Sequence, residues 1–193
     1  MRAQSRAALV VAAVGVVLSL PSAAFAQKVE YKVLSTTKTS TMQKEMQEAA
    51  EAGFRFSDVM GGSTALGGSE VVVIMSKAAK SGAYDYRLLA TSKTSTMQKE
   101  LQEAGDAGFE YKGQTAFKSG FGGKEVVSIL ERSKDTTAPP RFEYRLLSTS
   151  KTSTMQKELS EAGDHGFEFV GMTVAKTLMG GDEVVSILRR KAQ

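Results

Sequence analysis

Apolar and charged residues alternate in three short stretches of the chain: VEYKVL from Val29, YDYRLL from Tyr84 and FEYRLL from Phe142. A period of two predicts a half-buried strand. Val29, Tyr31 and Val33 are expected to face inward, with Glu30 and Lys32 outward. Each stretch runs into one polar phrase, TTKTSTMQKEM at Thr36–Met46 and TSKTSTMQKEL at both Thr91–Leu101 and Thr149–Leu159. Here the rhythm changes. Met42, Met46 and Ala49 recur at helical spacing, as do Met97, Leu101 and Ala104, and Met155, Leu159 and Ala162. These methionines read as core packing.

Ser40 with Gln43, Ser95 with Gln98 and Ser153 with Gln156 fit the S-x-x-Q form of a capping box. Gly53, Gly108 and Gly166 stand where a left-handed residue closes a helix. A second strand follows (FRFSDV, FEYKGQ, FEFVGM), then a glycine-rich turn, then EVVVIM, EVVSIL and EVVSIL. The unit is β-α-β-β. A helical crossover makes the first two strands parallel, so the third fits between them in order 1-3-2, antiparallel throughout, as the most continuously apolar strand. The predicted class is α+β, with one helix on one face of each three-stranded sheet. Val127 and Ile129 are expected under the helix, and Val126, Ser128, Leu130 and Leu89 on the other face.

Tyr31, Tyr86 and Tyr144 are equivalent, at spacings of 55 and 58 residues, and the offsets hold through Glu70, Glu125 and Glu183. The chain therefore divides into 27–80, 83–134 and 142–193, with a Pro139-Pro140 linker across 135–141. About fifty residues make a marginal core. The half-apolar second face calls for packing of units, or of chains, on one another.

Residues 1–26 have the three parts of a secretory signal peptide: Arg2 and Arg6, an apolar run from Ala7 to Leu20, and Ala24-Phe25-Ala26 before Gln27. Cleavage between Ala26 and Gln27 leaves no stable membrane span and a periplasmic or secreted protein; the apolar run is too short to cross a bilayer. Loss of Arg2 and Arg6 leaves 23 basic residues against 21 acidic, a net charge of +2 rather than +4. With both signs interspersed, nothing points to nucleic acid. Cysteine and asparagine are absent, which excludes disulfides, thiolate chemistry and N-glycosylation.

Familiar catalytic patterns fail on their own terms. The turn SGFGGKE lacks the first P-loop glycine, where Lys118 stands, and Glu125 replaces the Ser or Thr after Lys124. Ser35–Lys38 and Ser148–Lys151 spell S-x-x-K, but the middle copy has Ala90 and no partner motif follows. His165, the single histidine, sits at a helix end, where a cation suits the dipole. Lys44–Glu48, Lys99–Glu103 and Lys157–Glu161 are solvated i,i+4 pairs. No cofactor and no metal site is expected. The candidate ligand or partner loop is the repeated junction: Thr36, Lys38 and Ser40; Thr91, Lys93 and Ser95; Thr149, Lys151 and Ser153. Hydroxyls, a lysine and helix N–H groups suit an anion or a glycan.

The run YDYRLL…LQEAGDAGFEYKG…GGKEVVSILERSK resembles a small bacterial family, domain-of-unknown-function family 4177. The matching residues are Tyr86 and Arg87, Gly108-Phe109-Glu110, and Ile129–Arg132, with equivalents in the other units. Phe stands in every copy where that family usually has Trp. The family has no established activity, so the resemblance implies no catalytic residue. The reading is a non-enzymatic, exported binding or assembly protein of the cell envelope, whose partner is an envelope protein, a glycan or an anionic ligand. The alternatives are an enzyme or cofactor binder with sites between repeats, and a self-associating structural protein, a homo-oligomer.

Overall fold

The switch in hydrophobic period becomes a switch in backbone at each expected place. A computed structural model describes residues 28–64, 68–78, 82–118, 124–176 and 182–192. The expected leader and its Ala26–Gln27 cleavage point lie outside the described residues, as do most of the glycine-rich turns. Unit 1 comprises β1 (Glu30–Thr36), α1 (Thr39–Glu51), β2 (Arg55–Thr64) and β3 (Gly68–Lys77). Unit 2 comprises β4 (Tyr84–Thr91), α2 (Thr94–Asp106), β5 (Glu110–Lys118) and β6 (Lys124–Ser133). Unit 3 comprises β7 (Phe142–Thr149), α3 (Thr152–Asp164), β8 (Glu168–Lys176) and β9 (Asp182–Lys191). The three sheets are antiparallel, in order β1-β3-β2, β4-β6-β5 and β7-β9-β8. The class is α+β, as expected. Among the described residues, no helix is long and apolar enough to cross a membrane.

Each helix ends as its glycine dictates. Gly53, Gly108 and Gly166 have φ of +86°, +82° and +78°. The N–H of Phe54, Phe109 and Phe167 then reaches back to the carbonyl of Ala49, Ala104 and Ala162, closing a Schellman motif. The helix starts differ from expectation. The N-cap is Lys38, Lys93 or Lys151, with no side-chain cap, and Ser40, Ser95 and Ser153 lie inside the first turn. No capping box forms. The threonine two residues earlier shapes the junction instead, and the glutamines are used elsewhere.

The sheet faces are also reversed from expectation. Val71, Val73 and Met75 of β3 pack with Met42 and Met46 of their own helix, in one cluster with Val127 and Ile129 of the next unit. Leu89, Val126 and Leu130 cluster with Met97 and Leu101 of α2. Val127 and Ile129 therefore face the preceding unit, and Val126, Ser128 and Leu130 face their own helix. The sequence pattern fixes two alternating faces but is silent on which one the crossover helix covers.

Layers consequently alternate along the molecule: first sheet, α1, second sheet, α2, third sheet, α3. Each inner helix lies between its own sheet and the first strand of the next unit, and β2 touches β5, and β5 touches β8, beside the helices. Burial of one aliphatic side chain contributes about 1.5–3 kcal/mol, so an inner face such as Val127 with Ile129 is a substantial unit-to-unit bond. The ends of the stack lack it. Val29, Tyr31 and Val33, expected inward, are 41%, 69% and 63% exposed, because among the described residues no unit precedes them. Their equivalent Tyr86 is 5% exposed and Tyr144 4%. At the far end Met155 and Leu159 stay half-buried, where Met97 and Leu101 are closed over.

Candidate functional site

The repeated junction is built the same way three times. Thr36, Thr91 and Thr149 each accept the backbone N–H of the lysine two residues on, at 3.2, 3.2 and 3.1 Å. In the second and third units the same hydroxyl also donates to that lysine's carbonyl. This threonine turn holds Lys38, Lys93 and Lys151 extended, with φ/ψ near −120°/+125° in each. Each lysine carbonyl accepts the first helical bond, from Met42, Met97 and Met155. The lysine side chains are exposed, as are Ser40, Ser95 and Ser153, and no acidic residue stands in any first turn. Thr91 is buried by its surroundings, so threonine is the structural member of the trio and lysine and serine the presented ones.

A second feature escaped the sequence reading: the glutamines that follow each junction. Gln43 and Gln47 lie one helical turn apart on α1 and accept the backbone N–H of Leu88 and Tyr86, at 2.9 and 3.2 Å. Gln98 and Gln102 of α2 do the same for Leu146 and Tyr144, at 2.7 and 2.9 Å, and donate to the carbonyls of Tyr144 and Phe142. The helix thereby satisfies the open edge of the next unit's first strand, a row of groups that otherwise invites another chain. In α1 and α2 one helix thus serves two ends, the junction before it and the strand beyond.

A tyrosine plug accompanies each glutamine pair. β2, β5 and β8 carry a bulge, between Phe56 and Asp58, Tyr111 and Gly113, and Phe169 and Gly171. The Phe56 N–H donates to the Tyr86 hydroxyl at 2.8 Å, and the Tyr111 N–H to that of Tyr144 at 2.6 Å. The hydroxyls donate onward, Tyr86 to Glu131 at 2.7 Å and Tyr144 to the Phe109 carbonyl at 3.0 Å. Burial raises the pKa of Tyr86 and Tyr111 well above the usual phenol value, and that of Tyr144 to about 12. Close approach needs glycine: a Cβ on Gly171 would come within 2.8 Å of the Tyr111 ring, and one on Gly113 within 3.2 Å of Phe56. Asp58 holds this position in unit 1, where no earlier aromatic arrives.

The charges beside each plug are inverted from one interface to the next. Between units 1 and 2, Arg55 donates to Glu131 through two nitrogens, at 2.8 and 3.1 Å. Between units 2 and 3 the same two positions hold Glu110 and Arg189, again paired. Burial opposes the charge on Glu110, but Lys112 and Arg189 outweigh it and hold its carboxyl below the usual range. Asp85 behaves alike, with Arg132 and Lys134 overcoming its burial. At the ends the pattern lapses, with Ser76 and Glu168 in these positions.

One cavity between repeats lies between units 2 and 3, about 560 Å³, bounded by Glu110, Phe142, Glu168, Arg189 and Arg190. Its two arginines are engaged, Arg189 with Glu110 and Arg190 with Glu143 at 2.6 Å, and Lys191 also lines it. His165 caps α3, its Nδ1 2.6 Å from the Glu161 carbonyl. No cluster of three metal-ligating side chains occurs among the described residues. Three signals in the sequence mark the interface residues: the Arg55/Glu110 and Glu131/Arg189 inversion, Asp58 against two glycines, and Ser160 in place of Gln47 and Gln102. In near-identical repeats, such paired departures show which positions meet across units. Comparison with family models, curated proteins and solved structures found no match.

Proposed function

We propose that this chain is an exported, non-enzymatic binding or assembly protein of the bacterial cell envelope, presenting one recognition junction three times. The carrying observation is that Lys38, Lys93 and Lys151 are held exposed at equivalent helix N-termini by the same threonine turn. A cation beside open N–H groups suits an anionic partner or glycan, and three weak contacts on one scaffold gain by multivalency. The resemblance to family 4177 fits a module reused for binding and adds no reaction.

The test is capture from a bacterial envelope extract by the purified chain and by a triple Lys38→Ala, Lys93→Ala, Lys151→Ala variant. A partner retained by the first and lost by the second is expected. Equal capture removes the junction from the account. N-terminal sequencing of the exported form is expected to begin at Gln27, and an intact Met1 overturns the location.

A further inference from the structure

We propose that the two ends of the stack are halves of the same unit-to-unit contact, so that a second copy of this chain docks head to tail, unit 1 on unit 3. This rests on the assembly reading above and names its partner.

The contact is made twice within the chain, and each of its parts recurs unmatched at an end. On the leading face, Tyr31 is the plug equivalent to Tyr86 and Tyr144, yet it stands 69% exposed beside Val33. On the trailing face, Phe169 occupies the place of Phe56 and Tyr111, next to the same bulge, and is 54% exposed. Gln156 takes the place of Gln43 and Gln98, but among the described residues its side chain reaches no strand and bonds to Ser160 of its own helix.

Gly163 is compatible with the same contact. Its equivalent Gly105 is needed because a Cβ there would lie 2.9 Å from the Tyr144 ring of the arriving strand. At Gly163 nothing lies within 4 Å. The α1–β4 contact is made with Ala50 at this position, so the glycine is matched to the α2–β7 contact, and its recurrence at Gly163 leaves α3 open to a strand arriving in the same way.

Three departures make the contact between copies weaker than the internal ones. Ser160 removes one glutamine, Asp58 fills the space that glycine leaves at Gly113 and Gly171, and Ser76 of the arriving copy offers Glu168 no arginine across the contact, only Arg189 of its own unit at 3.8 Å. Association is therefore reversible. A heterologous contact of this kind does not stop at two copies unless the rotation closes a ring.

Sedimentation of the purified chain over a wide concentration range tests this. The average mass is expected to rise without levelling at a dimer, or to level at a closed ring of three or more. Tyr31→Asp and Phe169→Asp each alter an exposed side chain at one end, and each alone is expected to weaken association about tenfold or more. Mixed in equal amounts, they are expected to form one dimer and nothing larger. Asp58→Gly is expected to tighten association about tenfold. A chain that stays monomeric throughout, an Asp58→Gly variant that does too, or a Phe169→Asp variant that still dimerises alone overturns the proposal. If copies fail to associate while junction-dependent capture from envelope extract persists, self-docking fails and the binding reading stands.

Discussion

Exchanging the charges of Arg55 and Glu131 measures the bond between units 1 and 2. The Glu131 side chain is 4% exposed and the Arg55 side chain 47%, so the pair lies between two regimes. Exposed pairs contribute about 0.2–1 kcal/mol, whereas breaking a buried pair costs about 3–5 kcal/mol. Tyr86 at 2.7 Å and Lys112 at 3.6 Å remain beside Glu131 when Arg55 is lost. Arg55→Glu, which sets two carboxylates together, is therefore expected to cost about 2 kcal/mol. Glu131→Arg crowds Arg55 and Lys112 and is expected to cost about 3 kcal/mol. The double exchange reproduces the Glu110–Arg189 order of the other interface and is expected to return to within about 1 kcal/mol of the original, a coupling of about 4–5 kcal/mol, above the usual range. Urea denaturation followed by circular dichroism, run as a double-mutant cycle, supplies the number. A coupling below about 0.5 kcal/mol refutes the view that this pair is read across the interface.

Other consequences are independent of that pair. Ser128 and Ser186 bury hydroxyls without a partner, where unit 1 has the fully buried Val73; Ser128→Val is expected to raise stability by about 1–2 kcal/mol in urea denaturation, and a loss contradicts the face assignment. Gly105→Ala is expected to destabilise by crowding Tyr144, while Gly163→Ala, in open space, is expected to stabilise by about 0.5–1 kcal/mol; equal effects contradict the stacking. The fold favours neutral Tyr86, Tyr111 and Tyr144, so stability is complete below pH about 10. Above it the unfolded chain ionises first, and stability falls by about 1.4 kcal/mol per pH unit for each tyrosine until its folded pKa is reached. Asp85 and Glu110, whose carboxyls are held low, contribute stability present above pH about 4 and lost as acid protonates the folded state. Denaturation midpoints against pH check both limbs, and a flat alkaline limb contradicts the buried plugs.

Much of the fold was legible because each unit announces its own period, from Tyr86 in β4 through Met97 and Leu101 in α2 to Val126–Leu130 in β6. Strand order followed from the helical crossover and the continuously apolar third strand. Face assignment did not, because Val126 and Val127 are equally apolar and burial in the stack covers both. The junction was legible as a polar repeat, though capping by Ser40 was misjudged: Thr36 already fixes the turn, and Gln43 is drawn away to Leu88 of the next unit. A glutamine that bonds 45 residues away leaves no local pattern. Only differences between copies, such as Glu131 against Arg189, carry that information.

Amide hydrogen exchange resolved by residue tests the stacked interface most directly, in the Phe169→Asp background so that copies stay apart. The N–H groups of Tyr86, Leu88, Tyr144 and Leu146 point at glutamines of the preceding helix, while those of Tyr31 and Val33 have no preceding helix among the described residues. The four covered amides are expected to exchange at least about tenfold more slowly than the two open ones, and Gln43→Ala with Gln47→Ala to release Tyr86 and Leu88 alone. Equal exchange at Tyr31, Tyr86 and Tyr144 would mean that the units do not close on one another.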